Sequence, residues 1–171
     1  GTDNVALGYQ ALLDNTTGAE NTAVGKGALQ DNTTGTENTA VGRLALRDNN
    51  GTENVAVGAN ASQRNTSGNY NTALGMSALY FNTTASENVA VGYQALYDNT
   101  TGEKNTAVGT AALTNNTTAS NNSAFGREAL KYNTTGASNV AVGREALVSN
   151  TTASNNTAVG YQAGYSNTTG S

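Results

Sequence analysis

Histidine, cysteine, proline and tryptophan are all absent from the 171 residues. Without His or Cys the usual general base, thiol nucleophile and imidazole metal ligand are missing, so no enzymatic activity and no catalytic, cofactor-binding or metal-ligating residue is expected. The lack of Cys also removes disulfides and leaves the redox compartment open. Charge is sparse: 12 acidic against 8 basic residues, a net charge of −4, with no basic stripe to neutralise phosphates or an anionic lipid surface. Nucleic acid and membrane insertion are therefore not expected. No apolar run approaches the roughly 18 residues of a spanning helix. A signal peptide and an initiating Met are likewise missing, so the chain reads as an excised or processed piece.

What is present is one pattern, repeated. Asn begins an Asn-Thr/Val-Ala-Val-Gly motif at 4, 21, 38, 54, 71, 88, 105, 122, 139 and 156. The step is 17 residues except in the copy at 38–53, where Arg47-Asp48-Asn49-Asn50-Gly51 stands for the usual Asp-Asn-Thr-Thr-Gly and one residue is missing. Numbering each copy from its Asn, positions one (Asn), three (Ala), five (Gly), eight (Ala) and twelve (Asn) never vary. Position four is always apolar, and position nine is Leu except at Ser62 and Gly164. A low-complexity, disordered chain needs no residue-by-residue register, whereas stacked coils need one at every turn.

The motif excludes a helical repeat, because Asn, Thr and Gly recur every few residues as weak helix formers. The pattern predicts a strand at positions two to four, ended by Gly, and a second seeded by Ala-Leu at eight and nine. Asn-Thr-Thr-Gly then supplies a turn, with Gly permitting positive φ. The expected architecture is all-β: a parallel β-solenoid, or β-roll, of ten 17-residue coils spanning 1–171 as a single array. Stacked at about 4.8 Å per coil, it makes a rod roughly 50 Å long. Identical side chains one coil apart predict Asn ladders at positions one and twelve. The rival reading of the eight Asn-Thr-Thr runs is N-glycosylation in a eukaryotic secretory route. The inward set is expected to comprise Ala at three and eight, the apolar residue at four and Leu at nine. With position three invariantly Ala and its neighbours apolar, the strand is expected to be covered on both faces, one of them by a partner chain.

Candidate ligand-binding features are few, and the ligand stays unknown. Tyr80 and Tyr97 occupy position ten in consecutive copies with Tyr93 nearby at six, an aromatic strip that suits either a glycan or simple ring stacking. Lys26, Arg43, Arg127 and Arg144 at position six read as a solvated face. Asp14, Asp31, Asp48 and Asp98 at eleven, and Glu20, Glu37, Glu53 and Glu87 at seventeen, read as solvated edges. Adjacent Thr pairs such as Thr16-Thr17 bring ice binding into view, although a strand exposes only one of the two.

Asn-Val-Ala-Val-Gly at 54–58, 88–92 and 139–143 resembles the head repeat of trimeric autotransporter adhesins, the YadA-like family, whose motif is Asn-Ser-Val-Ala-Ile-Gly. The longer run at 156–163, Asn-Thr-Ala-Val-Gly-Tyr-Gln-Ala, is similar to repeats of phage tail fibres and spikes that carry a C-terminal intramolecular chaperone. The resemblance implies a homotrimeric, left-handed fibre, extracellular or on a cell or virion surface, that spaces or displays a binding tip. A host receptor or glycan would then be a further partner beside the chain itself. Alternatives are a self-assembling extracellular filament and a glycan-binding or ice-binding solenoid. The chain starts and stops inside the repeat, so a longer rod or end-to-end stacking is expected.

Overall fold

The computed structural model describes residues 1–170. One strand of three residues forms in each copy, from β1 (Val5–Leu7) and β2 (Thr22–Val24) to β9 (Val140–Val142) and β10 (Thr157–Val159). All ten lie in a single sheet in chain order, each parallel to the next. The register is that of the repeat: Val89, Ala90 and Val91 pair with Thr106, Ala107 and Val108. The shortened copy keeps it too, with Ala40 on Ala56. The chain is therefore an all-β parallel solenoid.

Inter-coil hydrogen bonds do not stop at the strands. In the sixth copy Gln94 N–H donates to Met76 O (3.2 Å), Leu96 N–H to Ala112 O (3.0 Å), Asp98 N–H to Thr114 O (2.9 Å) and Thr100 N–H to Thr117 O (2.9 Å). Backbone hydrogen bonds between coils thus continue beyond the strands into the turns, which is what a coil with little apolar mass requires.

The expected second strand does not form. Position nine turns instead, with a left-handed φ at Leu29 (49°), Leu96 (51°) and Leu147 (50°). Positions seven and seventeen turn in the same way, as at Gln94 (54°) and Glu87 (59°). Each such residue costs on the order of 1 kcal/mol for a side chain with a Cβ. The ladders and the burial of Leu oppose that cost. The glycine at position fifteen, expected to supply positive φ, does not: its φ lies outside that region, and Ala85, Ala119 and Ala153 replace it in three copies. The glycine the backbone does require is at position five. Gly92 has φ 125°, and a Cβ there would come within 2.8 Å of the carbonyl carbon and oxygen of Gly109 in the next coil.

The core is a continuous column of small side chains. From the second coil to the ninth, Ala at three and eight and Leu at nine are buried, as at Ala90, Ala95 and Leu96, all 0% exposed. Two Asn ladders flank them. Asn71 Oδ1 accepts from the backbone N–H of Asn88 (3.0 Å), whose Oδ1 in turn accepts from that of Asn105 (2.9 Å). At position twelve, Asn99 Nδ2 donates to Asn82 Oδ1 (3.2 Å) and Asn116 Nδ2 to Asn99 Oδ1 (2.8 Å). The Asn of every Asn-Thr-Thr run from 32 to 150 is buried with its amide nitrogen engaged, so in the folded chain these side chains are structural and closed to a glycosylating enzyme.

Candidate functional surface

A three-residue strand has only two ways to face, and the invariant Ala takes the inner one. Positions two and four consequently point outward, so the expectation that position four lies in the interior is corrected. Leu74 is 38% exposed, Phe125 42% and Val142 38%, beside Ala73, Ala124 and Ala141 at 0%. The curvature of the coil decides this: the interior over the strand has room for a methyl group, and the larger side chain goes outside. The result is an unbroken outward face from Val5 and Leu7 to Thr157 and Val159, built of Val, Leu, Thr, one Phe and one Ser, with no charged residue on it. Where position four carries its largest side chain, Phe125, position two carries its smallest, Ser123.

A second surface runs along positions ten and eleven. Tyr80 and Tyr97 stack with ring centroids 5.2 Å apart and planes 14° from parallel. Phe81 meets both rings edge-on, at 4.6 and 5.2 Å. The guanidinium of Arg64 completes the group, 5.3 Å from the Phe81 centroid and 5.9 Å from that of Tyr80. Sequence reading found the two tyrosines but missed Phe81 and Arg64, which sit at position eleven where several other copies have Asp. Tyr93 stays at position six, exposed, and forms no part of this stack. Because the tyrosine rings face each other along the rod, their inner faces are covered, and the group presents edges to solvent. Burial, with Tyr80 adding to it, pushes the Tyr97 phenol above its usual range.

Several of the charged residues fall into local pairs. Arg47 bonds Asp48 and lies 3.8 Å from Asp31. Burial, reinforced by the neighbouring Asp48, raises the Asp31 carboxyl, and burial alone raises that of Asp98. Glu145 accepts from Gln162 Nε2 (2.7 Å) and Arg144 Nε (2.8 Å), and those two bonds hold its carboxyl below the usual carboxylate range. Position six carries Lys26 over Tyr9 at 5.7 Å and Arg144 over Tyr161 at 5.6 Å. Arg43 and Arg127 lie on the same outer row, Arg127 paired with Glu128 at 3.3 Å. Glu20, Glu37, Glu53 and Glu87 at position seventeen are exposed, as is Asp14. Among the described residues no three carboxylates gather as a metal site and no pocket opens.

No protein-family model, no curated protein and no solved structure matches the chain.

Proposed function

We propose that the chain is a structural fibre segment of an extracellular surface adhesin or virion tail fibre, assembled from three copies of itself around a common axis and spacing or displaying a binding tip. The observation that carries this reading is the uncharged outward face of positions two and four, which runs the length of the sheet at the spacing of the repeat. A face of Val, Leu, Phe and Thr of this length on so slender a body marks an interface. The partner it fits best is the same chain, because only a structure with the same coil rise places an apolar row opposite every coil. Parallel copies satisfy this by symmetry, each coil meeting its own equivalent. The resemblance to adhesin head repeats adds the trimeric state and the left-handed coil.

Light scattering and negative-stain electron microscopy of the purified chain test the reading. The expected result is a discrete rod with three times the 17.3 kDa chain mass. A folded single-chain monomer at high concentration sinks it.

A further inference from the structure

One coil carries chemistry that the others lack. In the shortened copy Asn50 stands at position thirteen, where every other copy has Thr, and Gly51 follows it, making the only Asn-Gly pair in the chain. The Asn50 side chain is exposed, and its Oδ1 accepts three hydrogen bonds from the preceding coil: Thr33 N–H at 2.8 Å, Thr33 Oγ1–H at 2.7 Å and Thr34 N–H at 3.2 Å. Its amide nitrogen makes no hydrogen bond among those described. Gly51 is held in place by its carbonyl, which accepts from Asn38 Nδ2 (2.9 Å) and Asn49 Nδ2 (3.0 Å), while its N–H donates to nothing among the described residues.

We propose that Asn50-Gly51 is a self-modification site, at which the folded solenoid promotes cyclisation of Asn50 to a succinimide and its deamidation. Hydroxide removes the Gly51 amide proton, and the nitrogen attacks Asn50 Cγ. The electron pair of the Cγ–Oδ1 double bond moves onto Oδ1, into the three donors from Thr33 and Thr34, an arrangement that stabilises charge developing on oxygen. Collapse reforms the carbonyl and breaks the Cγ–Nδ2 bond, and the nitrogen leaves as ammonia with a proton from water. Water then opens the ring: attack at Cγ breaks the bond from Cγ to the Gly51 nitrogen and gives aspartate, and attack at the Asn50 main-chain carbonyl breaks the bond from that carbon to the same nitrogen and gives isoaspartate, linked to Gly51 through Cγ. One water is consumed, one ammonia is released, and nothing is oxidised or reduced.

The surroundings explain why this site and not the many other asparagines. The ladder asparagines from Asn21 to Asn150 are buried, with both amide atoms committed and a residue bearing a side chain next in sequence. Asn69 has a similar oxygen environment, accepting from Thr52 N–H at 2.7 Å and Thr52 Oγ1–H at 3.3 Å, but Tyr70 follows it and crowds the attacking nitrogen. The product suits the site as well. A carboxylate at 50 keeps the three donors and strengthens each bond to them. The isoaspartyl form lengthens the main chain in the copy that is one residue short.

The test is to incubate the whole folded chain in mildly alkaline buffer and follow conversion by tryptic mass spectrometry, since Arg47 and Arg64 bracket the site. The free peptide 48–64 is run beside it. The expected result is conversion at Asn50 in the folded chain at least as fast as in the peptide, rising with pH, and slowed at least about tenfold by Thr33→Val, which removes one donor and keeps the branched shape. Thr33→Ser, which keeps the hydroxyl, should hold the parent rate and guards against a folding defect in the valine variant. A folded-chain rate below that of the peptide, or a Thr33→Val rate equal to the parent's in a chain with the parent's melting temperature, overturns the proposal.

Discussion

The side-chain amides of Asn88 and Asn99 donate to the same carbonyl oxygen, that of Gly102, at 2.9 and 2.8 Å. Position one and position twelve of a coil are thereby tied to position fifteen, closing the turn from inside, and the same pair of bonds recurs at Asn21 and Asn32 on Gly35. Asn99→Ala should cost about 1–3 kcal/mol, because the neighbouring Asn82 Oδ1 loses its donor in a buried site. Asn99→Asp should cost more at neutral pH and recover part of the loss on acidification, since it sets a carboxylate oxygen against two acceptors, Asn82 Oδ1 and Gly102 O, in a site closed to solvent. Thermal denaturation of both variants at two pH values measures the difference.

Ser62 is the one interruption of the buried Leu row inside the rod. It is 1% exposed, its Oγ finds no partner, and its φ of 46° lies beside the 49–53° of the leucines at the same position. Ser62→Leu needs no new backbone conformation, and should raise stability by about 1–3 kcal/mol through apolar burial and removal of an unpaired hydroxyl. A lowered melting temperature would show that the coil has closed around the serine.

The two rows of apolar side chains should respond oppositely to charge. Leu96 is fully buried in the core column, so Leu96→Asp should unfold the chain. Val91 lies half-buried on the outward face, and Val91→Asp should leave each chain's solenoid folded while separating the copies. Circular dichroism reads the first effect and analytical ultracentrifugation the second. Loss of structure in Val91→Asp at a protein concentration where the parent is already monomeric would place position four inside after all.

Gly92→Ala should be severe for its size. The added methyl would meet the Gly109 carbonyl of the next coil, at a φ that residues with a Cβ rarely adopt. A cost of about 3 kcal/mol or more is expected, seen as a fall in melting temperature, with hydrogen exchange accelerated first in β6 (Val89–Val91) and β7 (Thr106–Val108).

Acid should act on two carboxylates in opposite senses. Asp98 has a raised pKa, so it binds its proton more readily folded than unfolded, and its contribution improves as pH falls through the folded value towards the ordinary 3.8. Glu145 has a lowered pKa: its contribution is complete above the ordinary 4.5 and is lost as pH falls through the lower folded value. Asp98→Asn should therefore raise stability at neutral pH and flatten the gain on mild acidification. Gln162→Leu, which removes one donor to Glu145, should diminish the loss at lower pH. Urea titrations across the acid range report both slopes.

The sequence alone determined the period, the parallel register, the Asn ladders, and the burial of Ala at three and eight and of Leu at nine. It could do so because stacking in a solenoid sets each residue against its own equivalent one coil away, so a periodic sequence is already a contact map. Tertiary structure decided which face of the three-residue strand turns inward. Ala90 and its neighbours Val89 and Val91 are all compatible with burial, and an alternation of two so short and so apolar carries no direction. The bend of the coil sets it: left-handed residues at seven, nine and seventeen fold the turns over a space that admits a methyl group and excludes valine. The same bend turned Leu96 from an expected strand into a corner. It also brought Arg64 and Phe81 onto the tyrosine stack, a meeting between residues of different type in adjacent coils that no period predicts.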